Sequence, residues 1–431
     1  MMRIGYLQKL ILALLISLIL FPVTDLKAQN SVYLKIQSQG FRRIDLILGP
    51  FSSEMQTDLN LELRRIVEND LKLSGFFRLI EEADLIKFKQ ENNAQTPLLE
   101  SAAKVDAVVG FEDQSVFAQV RLADYPDSNV IFHKRFYASL KGIRKLAHQI
   151  SDKIIYHLVG EEGVSNTRLV FVTELEQRKE LALVDYDGAG FRQLTSSQTL
   201  NLSPAWSADG KKIAFTSYSA ENPNLLILNL DVGNIFTLSA AEGLNTAPAW
   251  SPDGKKIALT MTRDGNAEIY TVELKNNSLQ RLTNHPAIES SPSWAPGGRE
   301  IAFTSDRTGS PQIYVMDADG ADVRRLSFTG NYNDSPVWSP KADRIAFVSR
   351  VEGQFHIFTM DIYGENLQQI TTGPGNHEDP CWAPDGFRLA FASNREGSWD
   401  IYVINWDGTE LRKITQSGKN ISPSWSPRFE K

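Results

Sequence analysis

The sequence predicts a multidomain chain: a small N-terminal α/β domain, then an all-β domain that is a six-bladed β-propeller closed by the C-terminal strand. Three observations predict it. Tryptophans at 206, 250, 294, 338, 382 and 425 are spaced by 44 residues four times and then by 43. Each repeat divides into four short strand-like runs. The chain ends on a lone copy of the first run, whereas copies of the other three precede the first complete repeat.

A proline stands two residues before every repeat tryptophan, at Pro204, Pro248, Pro292, Pro336, Pro380 and Pro423. Seven residues after the first five tryptophans come Ile213, Ile257, Ile301, Ile345 and Leu389, each opening an Ile-Ala-Phe-like phrase. The four runs are typified by "SPAWS", "KIAFTS" (212–217), "QIYVMD" (312–317) and "RRLS" (324–327). They are β-branched, aromatic and short, so they read as strands. "SPDGKK" (251–256) supplies a tight first turn and "DADG" (317–320) the third, with "DYDG" (185–188) and "NWDG" (405–408) in its place elsewhere. Four strands in about 40–45 residues make a propeller blade.

The first run is then the innermost strand. Its free edge tolerates a proline, whose missing N–H no ladder requires. Small residues between Pro and Trp (Ala205, Ala249, Ser293, Val337, Cys381, Ser424) suit the crowded centre, and alternation sends the indole the other way, between blades. Stacking on a ligand is the competing role for these tryptophans. Leu169 lies 44 residues before Ile213, but Glu162 stands where a seventh tryptophan would fall. One blade therefore combines strands from 168–195 with the innermost strand from 420–427, and the count is six.

Residues 1–28 read as an export signal: Arg3 and Lys9, an apolar run Leu10–Phe21, Pro22, and a small-residue cleavage site at Ala28. Twelve apolar residues fall short of the roughly 20 that span a bilayer; a retained anchor is the competing reading. Gln29 offers no cysteine for lipidation. Residues 29–163 form the α/β domain: strands at 32–37, 43–51, "FFRLI" and "KVDAVVGFE", a helix over about 55–73 capped by Ser52 or Ser53 and ended by Gly75, a hairpin turning at 125–129, and a second helix from near Ser139. The propeller occupies 164–431, with "GEEGVSN" (160–166) as the link.

The whole chain of 431 residues carries a formal charge of −7, and the mature chain about −9, because the leader carries a net +2. An acidic balance excludes the basic face of a nucleic-acid binder. The single cysteine, Cys381, allows no intrachain disulfide. No nucleophile elbow, phosphate loop or zinc-spaced Cys/His cluster is present, and the six histidines are scattered. What remains is a binding face. Loops that enter each inner strand share one end of the ring with the loops between second and third strands. They gather Asn245 and Thr246; Glu289 and Ser290; Asn333 and Asp334; His377, Glu378 and Asp379; and Asn420, with Arg263, Arg307, Arg350 and Arg395 beside them. Plain solvated turn residues are the alternative reading.

An export signal, a small α/β domain, six "SPxWSPDGKKIAF"-type repeats and a terminal "SPSWSP" together resemble the TolB family, the periplasmic propellers of the Tol–Pal system of Gram-negative bacteria. The resemblance implies a non-enzymatic periplasmic monomer that supports outer-membrane integrity and invagination at cell division. It implies that the peptidoglycan-associated lipoprotein Pal docks over the channel through Leu244, Asn245, Thr246 and Ala247; Glu289, Ser290 and Ser291; Asn333, Asp334 and Ser335; and His377, Glu378 and Asp379. It implies that Val32, Tyr33, Leu34, Lys35 and Ile36 pair with the C-terminal domain of TolA, which their alternation suits. Other outer-membrane proteins are further expected partners; nucleic acid is not, and membrane contact is through partners only. No cofactor is implied beyond a channel cation, whose expected ligands are Glu289, Asp334 and Asp379. A secreted propeller enzyme or binding protein acting on oligosaccharides or peptides is the alternative, although only six residues follow Trp425 and no hydrolase domain accompanies the blades.

Overall fold

The computed structural model describes residues 43–53, 58–82, 102–197, 199–219, 222–416 and 418–429. The export signal and the 32–36 segment lie outside the described residues.

The N-terminal domain holds a five-stranded sheet in the order β2-β1-β3-β4-β5: β1 (Ile44–Ser53), β2 (Phe77–Glu81), β3 (Ala102–Glu112), β4 (Ser115–Tyr125) and β5 (Val130–Ser139). β1 runs parallel to β2 and β3, and β3 to β5 form an antiparallel meander. Helices α1 (Asp58–Leu73) and α2 (Ile143–Val159) bury Leu63, Ile66, Val67 and Leu71, and Leu146, Ile150 and Ile154. These i, i+3/i+4 stripes share one core with alternate sheet residues such as Leu46, Val105, Val120 and Phe132. Gly75, at φ 74°, follows the end of α1 as expected. Ser52 and Ser53 do not cap it: they are the last residues of β1, and α1 begins at Asp58. Among the described residues no helix is long and apolar enough to cross a membrane.

The ring has six four-stranded antiparallel sheets. Blade 6 begins first in the chain, with β6 (Arg168–Leu175), β7 (Arg178–Asp185) and β8 (Arg192–Gln193). Blade 1 is β9 (Asn201–Trp206), β10 (Lys212–Ser217), β11 (Asn224–Asn229) and β12 (Ile235–Ser239). Strands β13 to β28 build blades 2 to 5 likewise, with inner strands β13 (Asn245–Trp250), β17 (Glu289–Trp294), β21 (Asn333–Trp338) and β25 (His377–Trp382). The last strand, β29 (Asn420–Trp425), pairs with β6, Asn420 opposite Thr173 and Trp425 opposite Leu169. The closure expected from the orphan "NISPSWS" is thus present: both ends of the propeller meet in one sheet.

The tryptophans join blades. The indole N–H of Trp250 donates to Ala205 O (3.1 Å), that of Trp294 to Ala249 O (3.2 Å), that of Trp382 to Val337 O (3.1 Å) and that of Trp206 to Ser424 O (3.2 Å). Each acceptor is the small residue beside the tryptophan of the preceding inner strand. The small position therefore lets the indole reach a carbonyl while its rings fill the space between sheets. Trp425 instead donates to Thr167 Oγ1 at 2.8 Å. Glycine spaces the blades outside. Gly188, Gly320, Gly364 and Gly408 have φ between 84° and 95°, and a Cβ at the first three would strike the carbonyl oxygens of Ile414, Leu282 and Leu326, respectively, in the blade before.

The two domains meet in a buried polar junction. Arg144 of α2 donates to Asp185 (3.0 Å) and Asp187 (2.9 Å) of blade 6. Tyr186 OH donates to Asp70 of α1 at 2.9 Å, and Arg388 of blade 5 donates to Ser74 O. Arg428, beyond β29, donates to the carbonyls of Glu162, Gly163 and Pro384, tying the link between the domains to the closing blade and blade 5.

Candidate functional site

Every inner strand starts at the same end of the ring, because its first residue pairs with the last residues of the second strand: Asn245 with Met261, Glu289 with Ser305, Asn333 with Ser349, His377 with Ser393. The expected face therefore exists. The first residue of each strand does not look out from it. Asn201, Asn245, Glu289, Asn333, His377 and Asn420 are all buried. This corrects the assignment of Asn245, Glu289, Asn333 and His377 to partner contact, and the reason is strand alternation, which turns position one into the blade.

In blades 1, 4 and 6 that residue completes a polar staple to the third strand of the blade before. Asn201 Nδ2 donates to Glu180 (2.8 Å), as does Thr195 Oγ1 (2.5 Å), which itself accepts the N–H of Leu181 (2.9 Å). Asn333 and Ser327 make the same bonds to Gln312 at 2.9 and 2.7 Å, and Asn420 and Thr415 to Asp400, both at 2.8 Å. The staple has a signal that sequence reasoning missed. Glu180, Asn224, Glu268, Gln312, His356 and Asp400 recur at 44, as do Thr195, Ser239, Thr283, Ser327, Thr371 and Thr415. Glu289 is a charged variant, accepting from Ser305 Oγ (2.8 Å) and Arg307 (3.0 Å), with burial raising its carboxyl above the ordinary value. His377 stands beside His356 with ring centroids 5.1 Å apart; burial, then that neighbour and Arg395, push its pKa down to about 4.

The second and third residues are half-buried and face the other way, toward the channel mouth. Thr246, Ser290, Asp334 and Glu378 are second; Ala247, Ser291, Ser335 and Asp379 are third. The third residue has φ near 51–54° in all six inner strands, and each pairing with the second strand slips there. This bulge turns backbone N–H groups toward the neighbouring blade: Ser291 N–H and Ser335 N–H reach Thr260 and Thr304, both at 3.2 Å. Where Ala392 offers no hydroxyl, Asp379 accepts from Ser422 N–H (3.1 Å) and Oγ (2.9 Å) in the next strand.

Blades 4 and 5 thus bring Asp334, Glu378 and Asp379 to one side of the mouth. Burial, then Asp379 and Asp334, push Glu378 up to about 7, and burial raises Asp379 too. Glu289 does not join them, so the expected cation trio is not assembled: its carboxylate lies under Arg307 inside blade 3. Among the described residues the one group with metal-binding spacing is Asp70, His148 and Asp187, at the domain junction, where the Arg144 guanidinium already holds Asp187. Leu244 is exposed at the face as expected. Arg263, Arg307 and Arg395 lie in its loops, with Arg307 over Tyr314 (4.8 Å) and Arg395 over Tyr402 (6.0 Å), whereas Arg350, expected in a loop, lies within the longer strand Arg344–Val351 opposite Phe355.

Comparison with known proteins agrees with both domains. The family model described as the TolB beta propeller domain matches residues 156–373 and 334–431, and that of the TolB amino-terminal domain matches 32–112. The "Tol-Pal system protein TolB" of Roseobacter denitrificans is 32% identical over 225 residues, 49% of this chain and 51% of that protein. That of Nitrosomonas europaea is 30% identical over 202 residues, 46% of each chain. The chain spans about half the length of the curated relatives it matches. In three dimensions the likeness is longer: the crystal structure of TolB from Acinetobacter baumannii superposes with a TM-score of 0.78 at 28% identity, covering 90% of this chain and 97% of that one. The nidogen/laminin complex, at 11% identity and a TM-score of 0.52, shares the fold alone.

Proposed function

The chain belongs to the TolB family, and from that premise we propose that it is a non-enzymatic periplasmic adaptor of the Tol–Pal envelope complex. Its propeller face binds the peptidoglycan-associated lipoprotein Pal, its 32–36 segment pairs with TolA, and the assembly supports outer-membrane integrity and invagination at division. The observation that carries the reading is the likeness to the Acinetobacter TolB over 97% of that structure, both domains included in the same order. The face supplies the surface: Leu244, Thr246, Ala247, Ser290, Ser291, Asp334, Ser335, Glu378 and Asp379 sit at one end of a ring whose bonded interior holds them rigid. The buried Asn245, Glu289, Asn333 and His377 support that surface from below. A pull-down with Pal from the same organism tests the reading, and a folded protein that does not retain Pal defeats it. Reversing charge at Glu378 and Asp379 weakens retention more than reversing the exposed Asp253 in the opposite turns; equal effects refute the choice of face.

A further inference from the structure

The residue directly before each inner strand occupies an equivalent place on the candidate face. Its carbonyl accepts a backbone bond from the residue after the second strand: Leu200 from Tyr218 (2.9 Å), Leu244 from Thr262 (3.3 Å) and Ile288 from Asp306 (3.3 Å) in blades 1 to 3. The same bond recurs at Tyr332, Asn376 and Lys419 in blades 4 to 6. Register is therefore constant around the ring, and only chemistry changes. Leu200, Leu244 and Ile288 are 43%, 38% and 54% exposed, and Tyr218 beside them is 39% exposed. A lone exposed leucine needs no explanation. Three large aliphatics at one register of consecutive blades, with Tyr218 bonded through its backbone to the first of them, set an arc of exposed apolar groups along one half of the face. In the other half the place passes to a tyrosine, an asparagine and Lys419, whose ammonium is paired with Glu174 at 2.6 Å.

The inner ring divides in the same sense. Asp334, Glu378 and Asp379 lie on blades 4 and 5, and among the described residues none of them forms an ion pair with a lysine, arginine or histidine. Hydroxyl and backbone donors reach Asp334 and Asp379, as at Thr304 Oγ1 to Asp334 (2.7 Å), and the cation that acts on Asp379, Lys179, does so through its field without a direct bond. A surface that is apolar on one side and carries clustered carboxyl groups with no direct ion pair on the other fits a ligand with the complementary pair of features. Burial, then Asp379 and Asp334, hold the Glu378 pKa up, and a cation brought to the cluster relieves that mutual repulsion.

We propose that the face works in two parts: the arc of Leu200, Tyr218, Leu244 and Ile288 seats an apolar ridge of a folded partner domain, and the Asp334–Glu378 side of the mouth receives a lysine or arginine of that same domain. The inference rests on the adaptor reading above and adds the chemistry of the docking partner. The arc supplies the area removed from water, and the carboxylates set orientation and approach rate.

The experiment uses the full chain and the soluble domain of Pal from the same organism, with affinity read by calorimetry or surface plasmon resonance. Leu200→Ser, Leu244→Ser and Ile288→Ser together weaken binding at least tenfold. Val232→Ser with Tyr363→Ser, 71% and 76% exposed in turns at the opposite end, leaves it unchanged. Glu378→Gln with Asp334→Asn weakens binding and flattens its dependence on salt between about 50 and 300 mM, where screening of an exposed charge pair is strongest. All the arc residues are surface-exposed, and an unchanged melting temperature shows that each variant is folded. No binding by the parent chain overturns the adaptor reading and the inference together. Binding by the parent that survives the triple substitution within twofold, or a salt slope unaltered by the carboxamide pair, overturns the two-part face alone.

Discussion

His148 Nδ1 lies 2.8 Å from a carboxylate oxygen of Asp70, with both side chains buried where helices α1 and α2 meet the propeller. Tyr186 OH donates to the other Asp70 oxygen, and Arg144 lies 3.3 Å from His148 Nε2. Burial works against the imidazolium, but the bond to Asp70 and its charge outweigh it, so the His148 pKa is raised. A raised folded value means that stability is full below the unfolded value, near 6.5, and is lost as pH rises through the folded one. The junction is therefore tightest in mild acid. Hydrogen exchange of α1 and α2 accelerates from about pH 6 to pH 9, and His148→Gln removes that slope while leaving propeller amides unaffected.

Arg307 is the arginine that holds the buried Glu289, at 3.0 Å, while His285 Nδ1 stands farther off at 3.9 Å. Arg307→Ala leaves that carboxylate uncompensated and costs about 3–5 kcal/mol in urea unfolding. Because burial raises the Glu289 pKa, acidification protonates it early and reduces the loss. A double variant with Glu289→Gln recovers most of the stability at neutral pH; no recovery shows that the arginine acts through packing on Tyr314 alone.

Gly320 and Gly254 both have positive φ, 95° and 69°, but only Gly320 faces a neighbouring blade, where an added Cβ meets the Leu282 carbonyl. Gly254→Ala costs about 1 kcal/mol, from backbone strain alone. Gly320→Ala costs more, roughly 2–3 kcal/mol, since blades 2 and 3 must separate locally. Chemical denaturation of the two variants side by side checks the ordering.

Removal of residues 418–431 takes away β29 and with it every inner-strand bond to β6. The truncated chain unfolds in a broad, low-temperature transition by calorimetry. A synthetic peptide of those residues, added in trans, raises the midpoint in a concentration-dependent way. A sharp transition without the segment refutes the closure as the main fastening of the ring.

The blades are legible because they are repeated: a period of 44, a proline and a tryptophan set strand order, count and closure. What the repeat did not tell was which way its first residue points. Polar types at Asn245, Glu289, Asn333 and His377 looked like surface, and only the partner positions at Glu268, Gln312 and His356, equally periodic, mark them as interior. The αL residue before each proline was also invisible. Ser291, Ser335 and Asp379 are ordinary residues in an unusual conformation, imposed by two neighbouring strands rather than by local preference. At the domain junction His148 and Asp70 lie 78 positions apart, with no pattern to connect them. The Ser52 or Ser53 cap failed because strand β1 runs through both residues, and hydrogen bonding in the sheet prevails over capping preference.

The two-ended blade has a consequence for how the molecule is made. Strand β6 leaves the ribosome early, but its partner Trp425 strand follows only after five further blades; Arg168 and Ser426, bonded at 2.9 Å, are 258 residues apart. During synthesis β6 is an open edge in a growing chain, able to pair with whatever extended segment passes. Completion of the ring therefore waits on the arrival of β29 rather than on the stability of any blade already formed.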